Sequence, residues 1–117
     1  MISKRDDMAK RITAVLRCPG ARVSYSSVYP AWTPDPKNPL IPVFSEVYSE
    51  LTGKQAKVKA IHAGLECGVI GDRYSDMTMI SFGPDLQDVH TPNERLSIPS
   101  VERTYHLLLK VLKKLAE

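Results

Sequence analysis

Apolar residues recur along this chain at two different periods. Met8, Ile12, Val15 and Leu16 share one helical face, and Cys18-Pro19-Gly20 stops that helix. Ser3 followed by Asp6 has the spacing of a capping box, with Asp in place of the usual Glu. "ARVSYSSVY" (21–29) then alternates Val23 and Tyr25 with polar neighbours, as a half-buried strand does. A second helical face is the clearest in the chain: Leu40, Val43, Phe44, Val47, Tyr48 and Leu51. Asn38 can cap that helix, Pro39 suits its first position, and Gly53 closes it. "AKVKAI" (56–61) sets Ala56, Val58 and Ala60 against Lys57 and Lys59, and so predicts a strand. "HAGLECGVIG" (62–71) reads as a turn off its end. "MTMISF" (77–82) is a second apolar strand, ended by Gly83-Pro84. From about Pro99 a final helix places Val101, Tyr105, Leu108, Leu112 and Leu115 on one face. Helices and strands in this alternation predict an α/β fold.

One stretch fits neither period. "PAWTPDPKNPLIP" (30–42) holds five of the nine prolines, a density that no helix interior or central strand tolerates. It reads as a stiff crossover between two parts of a structure. Trp32, the single tryptophan, pins that crossover by burial, with ligand stacking as the other reading.

Bulk composition narrows the function classes. A chain of 117 residues is at most one domain, and 43% hydrophobic with 25% charged content is ordinary for a globular protein. The net charge of +3 has no concentrated basic stripe, so nucleic acid is not an expected partner. Lys110, Lys113 and Lys114 suit the C-terminal end of a helix dipole. Cys18 and Cys67 form no CxxC pair, which points to a reducing, cytoplasmic compartment. No apolar run approaches the roughly 20 residues of a membrane span, and the N-terminus lacks the apolar segment of a signal peptide.

Candidate chemistry gathers where the predicted strands end, because α/β sheets collect ligands at their carboxyl edges. The first strand runs into His62-Ala63-Gly64, and the second leads through Gly83-Pro84 to His90. Gly64 and Gly68 would let a substrate approach the backbone closely. His90 can be read as a metal ligand oriented by a nearby carboxylate, or as a surface histidine in a polar loop. A complete zinc site needs three or four protein ligands, and the chain has no HExxH. Glu66 and Cys67 are ligand types, and equally turn residues. A nucleophilic pair of Cys67 with His62 or His90 is a further reading, weakened by the adjacent carboxylate of Glu66.

"AIHAGLECG" (60–68), "SFGP" (81–84), "HTPNER" (90–95) and "SVE" (100–102) resemble, in order and spacing, the aminoacyl-histidine dipeptidases. These are also called Xaa-His dipeptidases or peptidase D, within a wider group that includes aminoacylase, carnosinase and tripeptidase. "VYPAW" (28–32) and "VYSELTGK" (47–54) are similar to the same family. The resemblance covers nearly the whole chain, but only the C-terminal portion of much longer enzymes. It implies an α/β fold: the C-terminal part of a zinc-peptidase-like catalytic domain, preceded by the last helix and strand of a lid domain. The implied divisions are 1–30 for the end of the lid or dimerisation domain, 31–42 for the crossover and 43–117 for the catalytic part.

The same resemblance makes His90 the last metal ligand and Gly64 the contact to bound dipeptide, with His62 and Glu66 lining that turn. Two zinc ions, or cobalt or manganese, would polarise the scissile carbonyl and activate a water, and a glutamate would relay its proton. That glutamate and the other ligands lie upstream in the family, so no catalytic residue is assigned in this chain. Asp88 or Glu94 would accept the other imidazole proton of His90. The implied activity is hydrolysis of small Xaa-His dipeptides, with the 117-residue chain inactive alone and prone to homo-oligomerise. The alternatives are a non-catalytic α/β module that binds a peptide or partner, and a compact cysteine or metal enzyme.

Overall fold

The computed structural model describes residues 2–33, 35–61 and 65–117. Its elements, in order, are α1 (Ile2–Arg17), α2 (Leu40–Thr52), α3 (Glu66–Arg73), β1 (Leu86–Gln87), β2 (Arg95–Leu96) and α4 (Ile98–Leu115). The chain divides into two compact units, Met1–Asp35 with Ile61–Met77, and Pro36–Ala60 with Thr78–Glu117.

In the first unit α1 ends where Cys18-Pro19-Gly20 was expected to stop it. Ser3 lies inside the helix, so the capping-box reading is not realised. Residues 21–29 form no strand. They are held to α1 by side chains instead: the Tyr25 hydroxyl donates to the Ala9 carbonyl at 3.2 Å and pairs with the buried Thr13 hydroxyl. Arg5 Nη1 donates to the Tyr29 carbonyl at 2.5 Å. The segment read as a turn is partly a helix, α3, with Glu66 in its first turn and Arg73 in its last, each matching the helix dipole. Gly68 and Gly71 lower the helix propensity of this stretch, which hides it from pattern reading. Gly68 is buried, and a Cβ there would sit 2.7 Å from the Pro30 carbonyl oxygen. The close backbone approach at Gly68 is therefore made by the chain itself, and the expectation of a substrate contact there is corrected. Trp32, beside it in sequence to Pro30, is half-buried.

In the second unit α2 and α4 pack together around Phe44, Val47 and Val111, with Leu40, Val43, Ile80 and Leu107 against them. The α2 face is the one its periodicity predicts, except at Leu51, which is exposed. Asn38 caps it: its Oδ1 accepts the Leu40 N–H at 2.8 Å, and its carbonyl accepts the Ile41 N–H at 3.1 Å. Gly53 closes it with φ +67, a conformation costly for any residue with a Cβ.

On α4 the buried stripe differs from the expected one. Ser100 and Val111 are buried and Thr104, Leu107 and Lys114 half-buried, whereas of the expected stripe Leu108 is half-buried and Val101, Tyr105, Leu112 and Leu115 are exposed. The helix carries apolar residues on both stripes. Lys114 on the first stripe pairs with Glu46 and reaches Glu50 at 3.9 Å.

The predicted strands 56–61 and 77–82 belong to no ladder among the described residues. A helix satisfies its backbone internally, while a strand needs a neighbour to do so. Residues 78–82 are anchored by side chains: Phe82 meets Phe44 edge-on at 4.7 Å, and Asn38 Nδ2 donates to the Met79 carbonyl at 2.7 Å. The one described sheet is the antiparallel pair β1–β2, with Leu86 opposite Leu96 and Gln87 opposite Arg95. The observed class is thus mixed, helices with a two-stranded antiparallel sheet at 86–96, where an α/β order with strands at 56–61 and 77–82 was expected.

Candidate metal-ligand loop

His90 sits at the tip of the β1–β2 hairpin. The base of that hairpin is fastened to α4. The Asp85 N–H donates to the buried Ser100 hydroxyl at 2.9 Å, and that hydroxyl donates to the Ser97 carbonyl at 2.6 Å. The Ser97 N–H closes onto the Asp85 carbonyl at 3.0 Å, and Arg103 Nη2 reaches Asp85 Oδ2 at 3.2 Å. The pieces "HTPNER" and "SVE", separated in sequence, are therefore joined through Asp85 and Ser97 in one local structure. Ser100 is the functional-region residue that sequence reasoning passed over. Its signal is the Ser97-x-x-Ser100 spacing at a helix start.

The loop closes on itself. The Thr91 N–H and hydroxyl both donate to the Asp88 carbonyl, at 3.2 and 2.7 Å. The Thr91 hydroxyl accepts from the Asn93 N–H at 3.2 Å, and the Thr91 carbonyl from the Glu94 N–H at 3.1 Å. Arg95 pairs with Asp88 at 2.8 Å. Asp88 and His90 take φ of +52 and +64, the left-handed region in which Asp and His are enriched among non-glycine residues. Asp88, Pro92, Asn93, Glu94 and Arg95 line an open concavity on the loop.

The two carboxylates expected to orient the imidazole do other work. Glu94 Oε2 accepts the backbone N–H of His90 at 2.9 Å, and Asp88 is taken by Arg95. The imidazole of His90 is exposed and has no hydrogen-bond partner among the described residues. Its ring nitrogens are free for a ligand, and neutral imidazole is a common donor to zinc-type ions. One donor is not a shell: among the described residues no group of three or more His, Cys, Asp or Glu is placed to hold a metal.

The other expected site residues are not brought to this loop by anything described. Glu66 is exposed on the first turn of α3, in the first unit. His62 and Gly64 lie outside the described residues. Cys67 is half-buried and Cys18 exposed, both as free thiols. No helix among the described residues is long and apolar enough to cross a membrane.

Comparison with known proteins gives this geometry a setting. The chain is 34% identical over 113 residues to the cytosol non-specific dipeptidase of Escherichia coli strain K12, covering 97% of this chain and 23% of that protein. Its fold matches the crystal structure of aminoacylhistidine dipeptidase from Vibrio alginolyticus with a TM-score of 0.76 and 31% identity, again over 97% of this chain and 23% of that one. The chain therefore spans about a quarter of the length of these relatives. The family whose profile matches residues 4–114 comprises peptidases that are generally metal-dependent. By that match, extending over nearly its whole length, the chain belongs to peptidase family M20/M25/M40.

Proposed function

We propose that this chain forms the C-terminal part of the catalytic domain of a metal-dependent dipeptidase acting on Xaa-His dipeptides in the cytoplasm. The observation that carries this reading is the match to two dipeptidases along 97% of the chain, joined to an exposed, unpartnered imidazole at the tip of an ordered loop. In this reading residues 1–30 end a lid domain, 31–42 cross over, and 43–117 return to the catalytic domain. His90 is one metal ligand. His62, Gly64 and Glu66 line the turn that meets the dipeptide.

The donor chemistry fits a pair of zinc ions, or cobalt or manganese, of which this chain holds one ligand. Such ions polarise a carbonyl and lower the pKa of a water. What these 117 residues contribute is placement: the hydrogen-bonded loop 88–94 presents His90, and Ser100 ties the base of the hairpin to α4. The general base and remaining ligands are supplied by sequence outside this chain. The chain alone is then without hydrolytic activity. It pairs with a second copy through its unsatisfied strand-type segments, because exposed strand edges recruit other strands.

The experiment is an assay of the purified 117-residue chain against Xaa-His dipeptides with zinc, cobalt or manganese added. No turnover is expected. Metal-dependent turnover that disappears in His90→Ala would contradict the proposal and favour a self-sufficient metal enzyme.

A further inference from the structure

We propose that Glu94 is a positioning residue for His90, gripping its backbone N–H and thereby fixing the left-handed conformation from which the imidazole is offered to a metal ion. This rests on reading His90 as a metal ligand. The loop's other bonds run between Asp88, Thr91, Asn93, Glu94 and Arg95 and pass around His90 without touching it. Among the described residues, the one tether on His90 itself is its N–H to Glu94 Oε2, at 2.9 Å.

That tether matters because of the backbone it holds. At φ +64 a residue with a Cβ is in a sparsely populated region, and a free chain returns to negative φ. Such a return swings the Cα–Cβ bond and carries the ring to a different place. Many metal-bound histidines are oriented by a carboxylate on the second ring nitrogen. Here the carboxylate acts one step back, on the peptide, and leaves both ring nitrogens unengaged. A charged acceptor makes this hydrogen bond stronger than a neutral one. The four-residue separation returns Glu94 to the amide because the Thr91 carbonyl takes the Glu94 N–H at 3.1 Å, turning the chain back on itself.

The test compares the wild-type chain, Glu94→Gln and Glu94→Ala by NMR. Glutamine keeps an oxygen that can accept the same N–H. The expected exchange of the His90 amide is about tenfold faster in Glu94→Ala than in wild type, and within about threefold of wild type in Glu94→Gln. Unchanged protection of the Val111 amide shows that the helix pair is intact in each variant. Cobalt(II) then serves as the metal probe, read at the His90 ring and at the amides of residues 86–96. Wild type and Glu94→Gln should give the same paramagnetic shifts. In Glu94→Ala they should collapse as the ring samples a range of positions.

Equal His90 exchange in wild type and Glu94→Ala would overturn the proposal. So would loss of the cobalt shifts in Glu94→Gln with its amide protection retained, because Glu94 would then be a ligand and not a positioning group. Cobalt at a concentration that shifts the ring of His106, another exposed imidazole, yet leaves the wild-type His90 ring unmoved would overturn the ligand reading itself, and the positioning role with it. That failure is recognised in the wild-type chain alone.

Discussion

The helix pair α2–α4 and the segments 56–61 and 77–82 all carry apolar patterns, yet only the helix pair becomes the elements its patterns describe. Helices close their own hydrogen bonds, so α2 and α4 need one another only to cover apolar surface around Phe44, Val47 and Val111. Strands close theirs on a neighbour. Their pattern records a sheet that the described residues do not contain. Among the described residues, elements that close their own hydrogen bonds and segments that need a neighbour can thus be told apart.

The contrast is broken most easily at Phe44. Phe44→Ala removes the ring that meets Phe82 and should destabilise the chain by about 3 kcal/mol, read from urea unfolding. Val58→Ala, on a residue 64% exposed in the segment that pairs with nothing described, should change stability by less than about 0.5 kcal/mol. Equal effects would mean that 56–61 is part of the core.

A finer version compares adjacent residues on α4. Val111 is 1% exposed and Leu112 is 53% exposed. Val111→Ala should cost about 2 kcal/mol and Leu112→Ala less than about 0.5 kcal/mol. The reverse order in thermal unfolding would show that the stripe 101–105–108–112–115 is the packed one after all. Next in size is the hairpin anchor. Ser100→Ala strips the Asp85 N–H of its acceptor and should cost about 1 to 2 kcal/mol, with faster amide exchange at Asp85.

The smallest effect is electrostatic. The hydrogen bond to Glu46, opposed by partial desolvation and reinforced by the charges of Glu46, Glu50 and Glu117, raises the Lys114 pKa above the ordinary 10.5. A group with a raised folded pKa stabilises the fold fully below its unfolded value. This contribution is therefore present through neutral pH and lost as pH climbs past 10.5 through the folded value. Lys114→Met should flatten that part of the stability profile. A profile unchanged by the substitution would show that the pair with Glu46 contributes nothing measurable, as many exposed pairs do not.

These comparisons also explain what was legible from sequence. The stop after α1, the Asn38 cap, the α2 face and the Gly53 terminus were readable because each depends on neighbours within a few residues. The buried stripe of α4 was not, since Leu107 and Val111 sit between the residues of a second apolar series and only tertiary contact chooses between them. Helix α3 was hidden by Gly68, a glycine required by the Pro30 carbonyl rather than by a turn. The motif "HTPNER" pointed to His90, and its letters suggested that a carboxylate would hold the ring. Which group a carboxylate holds depends on loop closure, and the Thr91 turn brings Glu94 to the peptide instead.

The strand-type segments 56–61 and 77–82 have no ladder partner among the described residues. Amide hydrogen exchange on the dilute chain tests this most directly. The account predicts slow exchange through 42–51 and 102–113, and near-unprotected exchange at 56–60 and 78–82, with protection in those two segments appearing only as concentration rises and copies pair. Full protection of 56–60 and 78–82 in a dilute monomer would contradict it, because the chain would then be closing its own sheet.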